Sequence, residues 1–136
     1  MARRVATGTG ALVLDAEGLS KAAQDDPRVG AFLKQALREQ GRVIVSAVTL
    51  AEVLRGSGRD ASVHRVLAKV NVVPVSVAVG RAAGLLLGRT GGDDTVDAVV
   101  AATAAEQAGR VLVLTSDTGD LSRLTAGHGR IRVQHV

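Results

Sequence analysis

Short runs of apolar residues alternate along the chain with longer stretches in which apolar positions recur at helical spacing. Five short runs, β-branched or leucine-rich, predict strands at Ala11–Leu14, Val43–Val45, Val72–Val75, Val111–Leu114 and Ile131–Val133. Between them the periodicity predicts helices over Val29–Gln40, Ala47–Arg55, Ala61–Lys69, Val77–Leu87 and Thr95–Ala108, and a short one at Leu121–Leu124. Ser46, Ser76 and Asp94 stand where N-caps belong, and Gly41 and Gly109 where helices stop. Gly56-Ser57-Gly58 and Gly91-Gly92 read as loops. Strands alternating with helices predict an α/β domain with a central, mainly parallel sheet of about five strands. Right-handed crossovers then gather the strand C-termini along one edge, where open α/β sheets bind ligands.

A length of 136 residues fits one compact domain, spanning 1–136, with no room for a second core. With 46% hydrophobic and 22% charged residues the chain is too apolar for disorder and too interrupted by charge to span a membrane. The basic N-terminus Met1-Ala2-Arg3-Arg4 is followed by an apolar run that stops at Asp15, too short for a signal-peptide core. Cysteine is absent, which removes disulfides and thiolate zinc sites and fits a reducing compartment. The expected location is cytoplasmic. The net charge is +4, and 14 of the 17 basic residues are arginine, compatible with a phosphate-bearing partner but equally with a GC-rich genome. Phe32 is the sole aromatic residue, so bases cannot be stacked on a ring platform, and an RNA would be held by its backbone and shape.

Carboxylates in apolar settings carry the candidate chemistry. Asp15 directly follows the first strand, and an N-cap or turn is its simplest structural role. Glu52 sits in the apolar helix Ala47–Arg55, on a narrow wet stripe or buried with a cation or hydrogen bonds. Asp97 is the one charge in Thr95–Ala105, where an interaction with the helix dipole would suffice to explain it. Asp94, three positions earlier, shares its face and fits a cap. Asp117 follows the fourth strand through Thr115-Ser116, repeating the arrangement at Asp15, and Asp120 stands nearby as a cap or a further acid. If the first and fourth strands are neighbours, acids from distant sequence converge at one edge. Packed like charges repel, and an all-oxygen donor set without Cys favours Mg²⁺ or Mn²⁺ over zinc. His64, His128 and His135 lack ligand spacing and read as surface residues.

The succession of strand-Asp15, then Ser46 through Gly56, then Asp97 through Ala104, then Leu114-Thr115-Ser116-Asp117, resembles PIN domains, especially VapC-type toxins, over nearly the whole chain. The resemblance implies a three-layer α/β/α fold, a divalent-metal site of Mg²⁺ or Mn²⁺, endoribonuclease activity, and a small VapB-like antitoxin as partner; a homodimer is also expected. Carried over by position, the family's acids fall on Asp15, Glu52, Asp97 and Asp117, with Asp94 and Asp120 as extra members. Asp15, Asp97 and Asp117 are the preferred metal ligands, Glu52 a further ligand or an orienter of water, and Thr115 or Ser116 a supporting hydrogen bond. The C-terminal block reads Thr-Ser-Asp where many relatives have Thr-Arg-Asn or Thr-Arg-Asp, so either Asp117 or Asp120 approaches the metal. The antitoxin groove is expected on Ala47–Arg55 and Ala61–Lys69. One rival reading is a non-catalytic RNA- or protein-binding module of the same fold. Another is a nucleotide binder using Gly8-Thr9-Gly10, but that fragment precedes the first strand, and no Walker-type Gly-Lys-Ser/Thr is present.

Overall fold

The computed structural model describes residues 10–136, so the basic N-terminus Met1–Arg4 and Gly8-Thr9 lie outside the described residues. The elements are β1 (Ala11–Leu14), α1 (Ala16–Ala23), α2 (Pro27–Arg38), β2 (Arg42–Ser46), α3 (Ala47–Val53), a 3₁₀ turn (Gly58–Asp60), α4 (Ala61–Leu67), β3 (Asn71–Val73), α5 (Val77–Thr90), α6 (Thr95–Glu106), β4 (Val111–Thr115), α7 (Thr118–Thr125) and β5 (Ile131–His135). The strands form one sheet in the order β3-β2-β1-β4-β5. Every pairing is parallel.

Alternation along β1 sets the layers. Ala11 and Val13 face a core built with Val79, Ala83 and Leu86 of α5, Ala98–Ala102 and Ala104 of α6, and Leu121 and Leu124 of α7. Leu12 and Leu14 face the other core, with Leu19 of α1, Val29 of α2 and Val63 of α4. The result is α/β/α. Helix α6 is buried on every side from Ala98 to Thr103, and its alanines admit close packing between α5 and α7. Among the described residues no helix is long and apolar enough to cross a membrane.

Several boundaries differ from those the periodicity predicts. Helix α1 was not predicted, because Ala16–Ala23 holds few large apolar residues; its inner face is Gly18, Leu19, Ala22 and Ala23. Gly18 belongs there for a spatial reason, since a Cβ would lie 3.0 Å from the Leu114 carbonyl oxygen of β4. Helix α2 begins earlier, at Pro27, with Asp26 accepting from the Val29 N–H at 3.0 Å, an N1 proline on an Asp cap. It ends before Gln40, which takes a positive φ of 58° ahead of Gly41. Strand β3 stops at Val73, before Pro74, which has no N–H for a ladder. Helix α5 runs on to Thr90 and closes on Gly91 in the left-handed region, φ 71°.

Candidate functional site

Strand order reverses between β1 and β4: the chain steps outward from β1 through β2 to β3, then crosses back to β4 on the other side of β1. Such a switch point opens a crevice at the strand C-termini. Asp15 leaves β1 there and Thr115 ends β4, in the parallel register that pairs Leu14 with Leu114.

Asp15 caps α1, accepting from the Gly18 N–H at 2.9 Å. The structural role expected of it is therefore real, but its surroundings exceed it. Burial pushes its carboxyl up, against hydrogen bonds from the Thr115 side chain and the Gly18 backbone that pull down. Thr115 is buried, and its hydroxyl oxygen accepts from the Asp117 N–H at 3.0 Å. It thus joins the turn after β4 to the end of β1.

Two helix N-termini deliver the next acids in the same way. Asp94 caps α6 and accepts from the Asp97 N–H at 2.9 Å, which places Asp97 in the first turn. Asp117 holds the cap position of α7 without a side-chain cap bond, and Asp120 lies in that first turn. Helices α6 and α7 pack together, and carboxylate oxygens of Asp94, Asp97 and Asp120 come within 4.8 Å of one another. Asp120 also accepts from the guanidinium of Arg123, the only ion pair among the described residues.

Asp97 is the electrostatic centre of the group. Burial first, then Asp94, Asp117, Asp15 and Glu52 as like charges, push its carboxyl up to about 6. Glu52, exposed on α3, is raised by partial desolvation and by Asp15 and Asp94. The six acids singled out from sequence thus fall into one neighbourhood. Asp94, Asp97 and Asp120 form its tight cluster, while Asp15, Glu52 and Asp117 act on Asp97 as further like charges. Asp94, Asp97 and Asp120 are drawn together because the three-residue spacing from each cap brings the first turns of α6 and α7 to one place. The donor chemistry fits a hard divalent cation, since three carboxylate oxygens converge and their mutual repulsion is relieved by positive charge.

Other functional candidates left little trace in the sequence. Arg123 carries no motif signal of its own. Asp60, ahead of α4, accepts from the Gly56 N–H at 2.7 Å and the Arg55 N–H at 3.0 Å, and those backbone bonds hold its carboxyl below the usual range. It ties down the turn that follows α3, the helix bearing Glu52, and the turn residue Gly56 has a φ of 77°. His64 and His135 are exposed, but His128 is half-buried, with Nδ1 covered and, among the described residues, without a hydrogen-bond partner. A groove of about 570 Å³ opens on the α1/α2/α4 face, where Leu33, Leu37 and Val66 are rimmed by Lys34, Arg38, Arg65 and Lys69. Residues of α4 and of the turn after it line the groove, and α3 contributes none.

The fold is shared with solved structures. Among solved structures, the chain is similar to one in the VapBC2 complex from Rickettsia felis bound to a fragment of its promoter DNA, with TM-score 0.70 and 14% identity over 93% of this chain and 98% of that one. It is similar to a chain of FitAB bound to an IR36 DNA fragment, with TM-score 0.63 and 23% identity over 91% and 94%. A toxin-antitoxin complex from Klebsiella pneumoniae gives TM-score 0.63 and 22% identity over 89% and 95%. No curated protein gives a significant match. The PIN domain model matches residues 12–126, from β1 to the end of α7, and the chain belongs to the PIN domain family.

Proposed function

We propose that the protein is a divalent-metal-dependent endoribonuclease, the toxin of a toxin-antitoxin pair. The observation that carries this is the carboxylate group at the β1/β4 crevice, with Asp97 pushed up to about 6 by burial and by four neighbouring acids. So much like charge at one point is poorly explained by capping alone, and PIN domains are nucleases. Asp94, Asp97 and Asp120 would hold Mg²⁺ or Mn²⁺, with Asp15 and Asp117 completing the acidic lining. When bound, the ion would supply charge neutralisation at the phosphate and a lowered pKa for the attacking water. Asp15, fixed by the Gly18 N–H and Thr115, keeps one wall of the crevice rigid. Glu52 stands at the exposed side, where its carboxylate can orient the water and take its proton. The water oxygen forms a bond to phosphorus as the bond to one ribose oxygen breaks, and the leaving oxygen takes up a proton.

The structural relatives include toxin-antitoxin complexes, which supports a small antitoxin as partner. The basic rim and apolar floor of the α2/α4 groove suit an acidic, amphipathic segment of such a protein. A homodimer and a cytoplasmic setting belong to the same reading.

Incubating the purified protein with total RNA, in Mn²⁺ and in chelator, and mapping new ends tests the activity. Cleavage is expected in Mn²⁺ alone. Intact RNA in Mn²⁺, from protein shown to bind the ion, would leave the non-catalytic binding module as the better reading.

A further inference from the structure

Arg123 brings a positive charge into an otherwise acidic site. It lies one turn beyond Asp120 on α7, donates to an Asp120 carboxylate oxygen, and leaves two thirds of its side chain exposed. An exposed pair three residues apart on a helix adds little to stability, so stability alone is a weak reason for its placement. The surroundings are more informative. Gly119 lies directly beside the guanidinium, where a Cβ would make ordinary contact with Asp117 Oδ1 at 3.7 Å and Arg123 Nη1 at 3.9 Å, which sets Arg123 next to both acids of α7. Among the described residues the other N–H groups of Arg123 meet no acceptor. The guanidinium therefore presents a planar set of donors at the rim of a cluster that any polyanion must approach against repulsion.

We propose that Arg123 is a phosphate-binding residue of the site, holding a backbone phosphate of the RNA beside the scissile bond and releasing Asp120 to the metal as it does so. The proposal rests on the nuclease reading, and it gives Arg123 two opposed effects. Paired with Asp120 and close to the cluster, it competes with a cation. Turned to the substrate, it supplies positive charge that the acids lack.

The test compares wild-type, Arg123→Ala and Arg123→Lys full-length proteins by Mn²⁺ titration calorimetry and by binding of a short labelled single-stranded RNA across a salt series. For Arg123→Ala, Mn²⁺ binding should tighten, RNA binding should weaken about tenfold, and the salt dependence should lose about 0.7 of slope, one phosphate contact. Arg123→Lys should retain most of the slope but less of the affinity, because an ammonium keeps the charge and loses the fork. Weakening of Mn²⁺ and RNA binding together, with a lower melting temperature, would assign Arg123 a structural role and overturn the proposal. So would unchanged RNA affinity and slope in a wild-type background that binds both. Wild-type protein that binds neither Mn²⁺ nor RNA would instead overturn the nuclease reading itself.

Discussion

Asp97 shows how one residue can serve a helix and a site with opposite energetic signs. In the first turn of α6 its charge is favoured by the helix dipole. Burial and four like charges outweigh that and raise its carboxyl to about 6. A carboxylate whose folded pKa exceeds its unfolded value binds a proton more tightly in the native state. Its contribution is therefore complete at low pH and is lost as pH rises through about 6. Without metal, the protein should melt higher at pH 5 than at pH 7.5, and Asp97→Asn should flatten that difference by removing the titrating group. In the same variant Mn²⁺ binding and RNA cleavage should collapse together, because an amide cannot supply the charge a divalent cation requires. Melting curves in chelator across this pH range, beside Mn²⁺ titrations, check both halves. A variant less stable than wild type at pH 7.5, yet cleaving RNA at the wild-type rate, would reduce Asp97 to a dipole partner.

At the scale of the element, α6 is held at both ends by charge. Its N-terminus carries the acids, and its C-terminal end and the loop after it are met by two arginines from elsewhere in the fold. Arg130, preceding β5, donates to the carbonyls of Ala105 and Gln107 and to that of Gly109 at 3.0 Å. Arg42, at the start of β2, donates to the Ala108 carbonyl at 2.6 Å. These contacts tie down the Ala105 carbonyl, the cap at Gln107 and the loop that follows, and their positive charge complements the helix dipole. Because the helix is buried on all sides between its ends, its axial position governs where Asp94 and Asp97 sit. Arg130→Ala should lower stability by about 1 to 2 kcal/mol, with a smaller loss for Arg130→Lys, read by chemical denaturation. Mn²⁺ affinity should fall with the first substitution, and an unchanged affinity would show that α6 is anchored by packing alone.

For the whole molecule, the proposed metal site ties stability to its counterion as a prediction. A cation that binds the folded chain and not the unfolded one adds free energy by mass action, about 2.7 kcal/mol at a hundredfold excess over its dissociation constant. Millimolar Mn²⁺ should therefore raise the melting temperature. The shift should shrink as pH falls from 7.5 to 5, since protons increasingly compete for Asp97. Scanning calorimetry at the two pH values measures this, and a melting temperature indifferent to Mn²⁺ at both would argue against a metal site in the crevice.

The chain's local chemistry determined much of this protein without its tertiary structure. The β-branched runs specified five strands because near-continuous apolar segments are stable only when covered on both faces. The apolar stretch from Ala98 to Ala105 marked α6 as a helix, and Ser46, Ser76 and Asp94 marked helix starts, because a cap is a contact within four residues. Helix α1 escaped notice for the converse reason: its inner face is small, and Gly18 is explained only by the Leu114 carbonyl of a strand almost a hundred positions away. Acidic residues in apolar settings were visible as anomalies, whereas their grouping was not. Whether Asp120 or Asp117 joined the tight cluster depended on how α7 packs on α6, and the pairing of Arg123 with Asp120 gained meaning only beside Asp94 and Asp97. Propensity and patterning act within a few residues, so they define the elements; the crevice arises from strand order and helix packing, long-range contacts that no local pattern encodes.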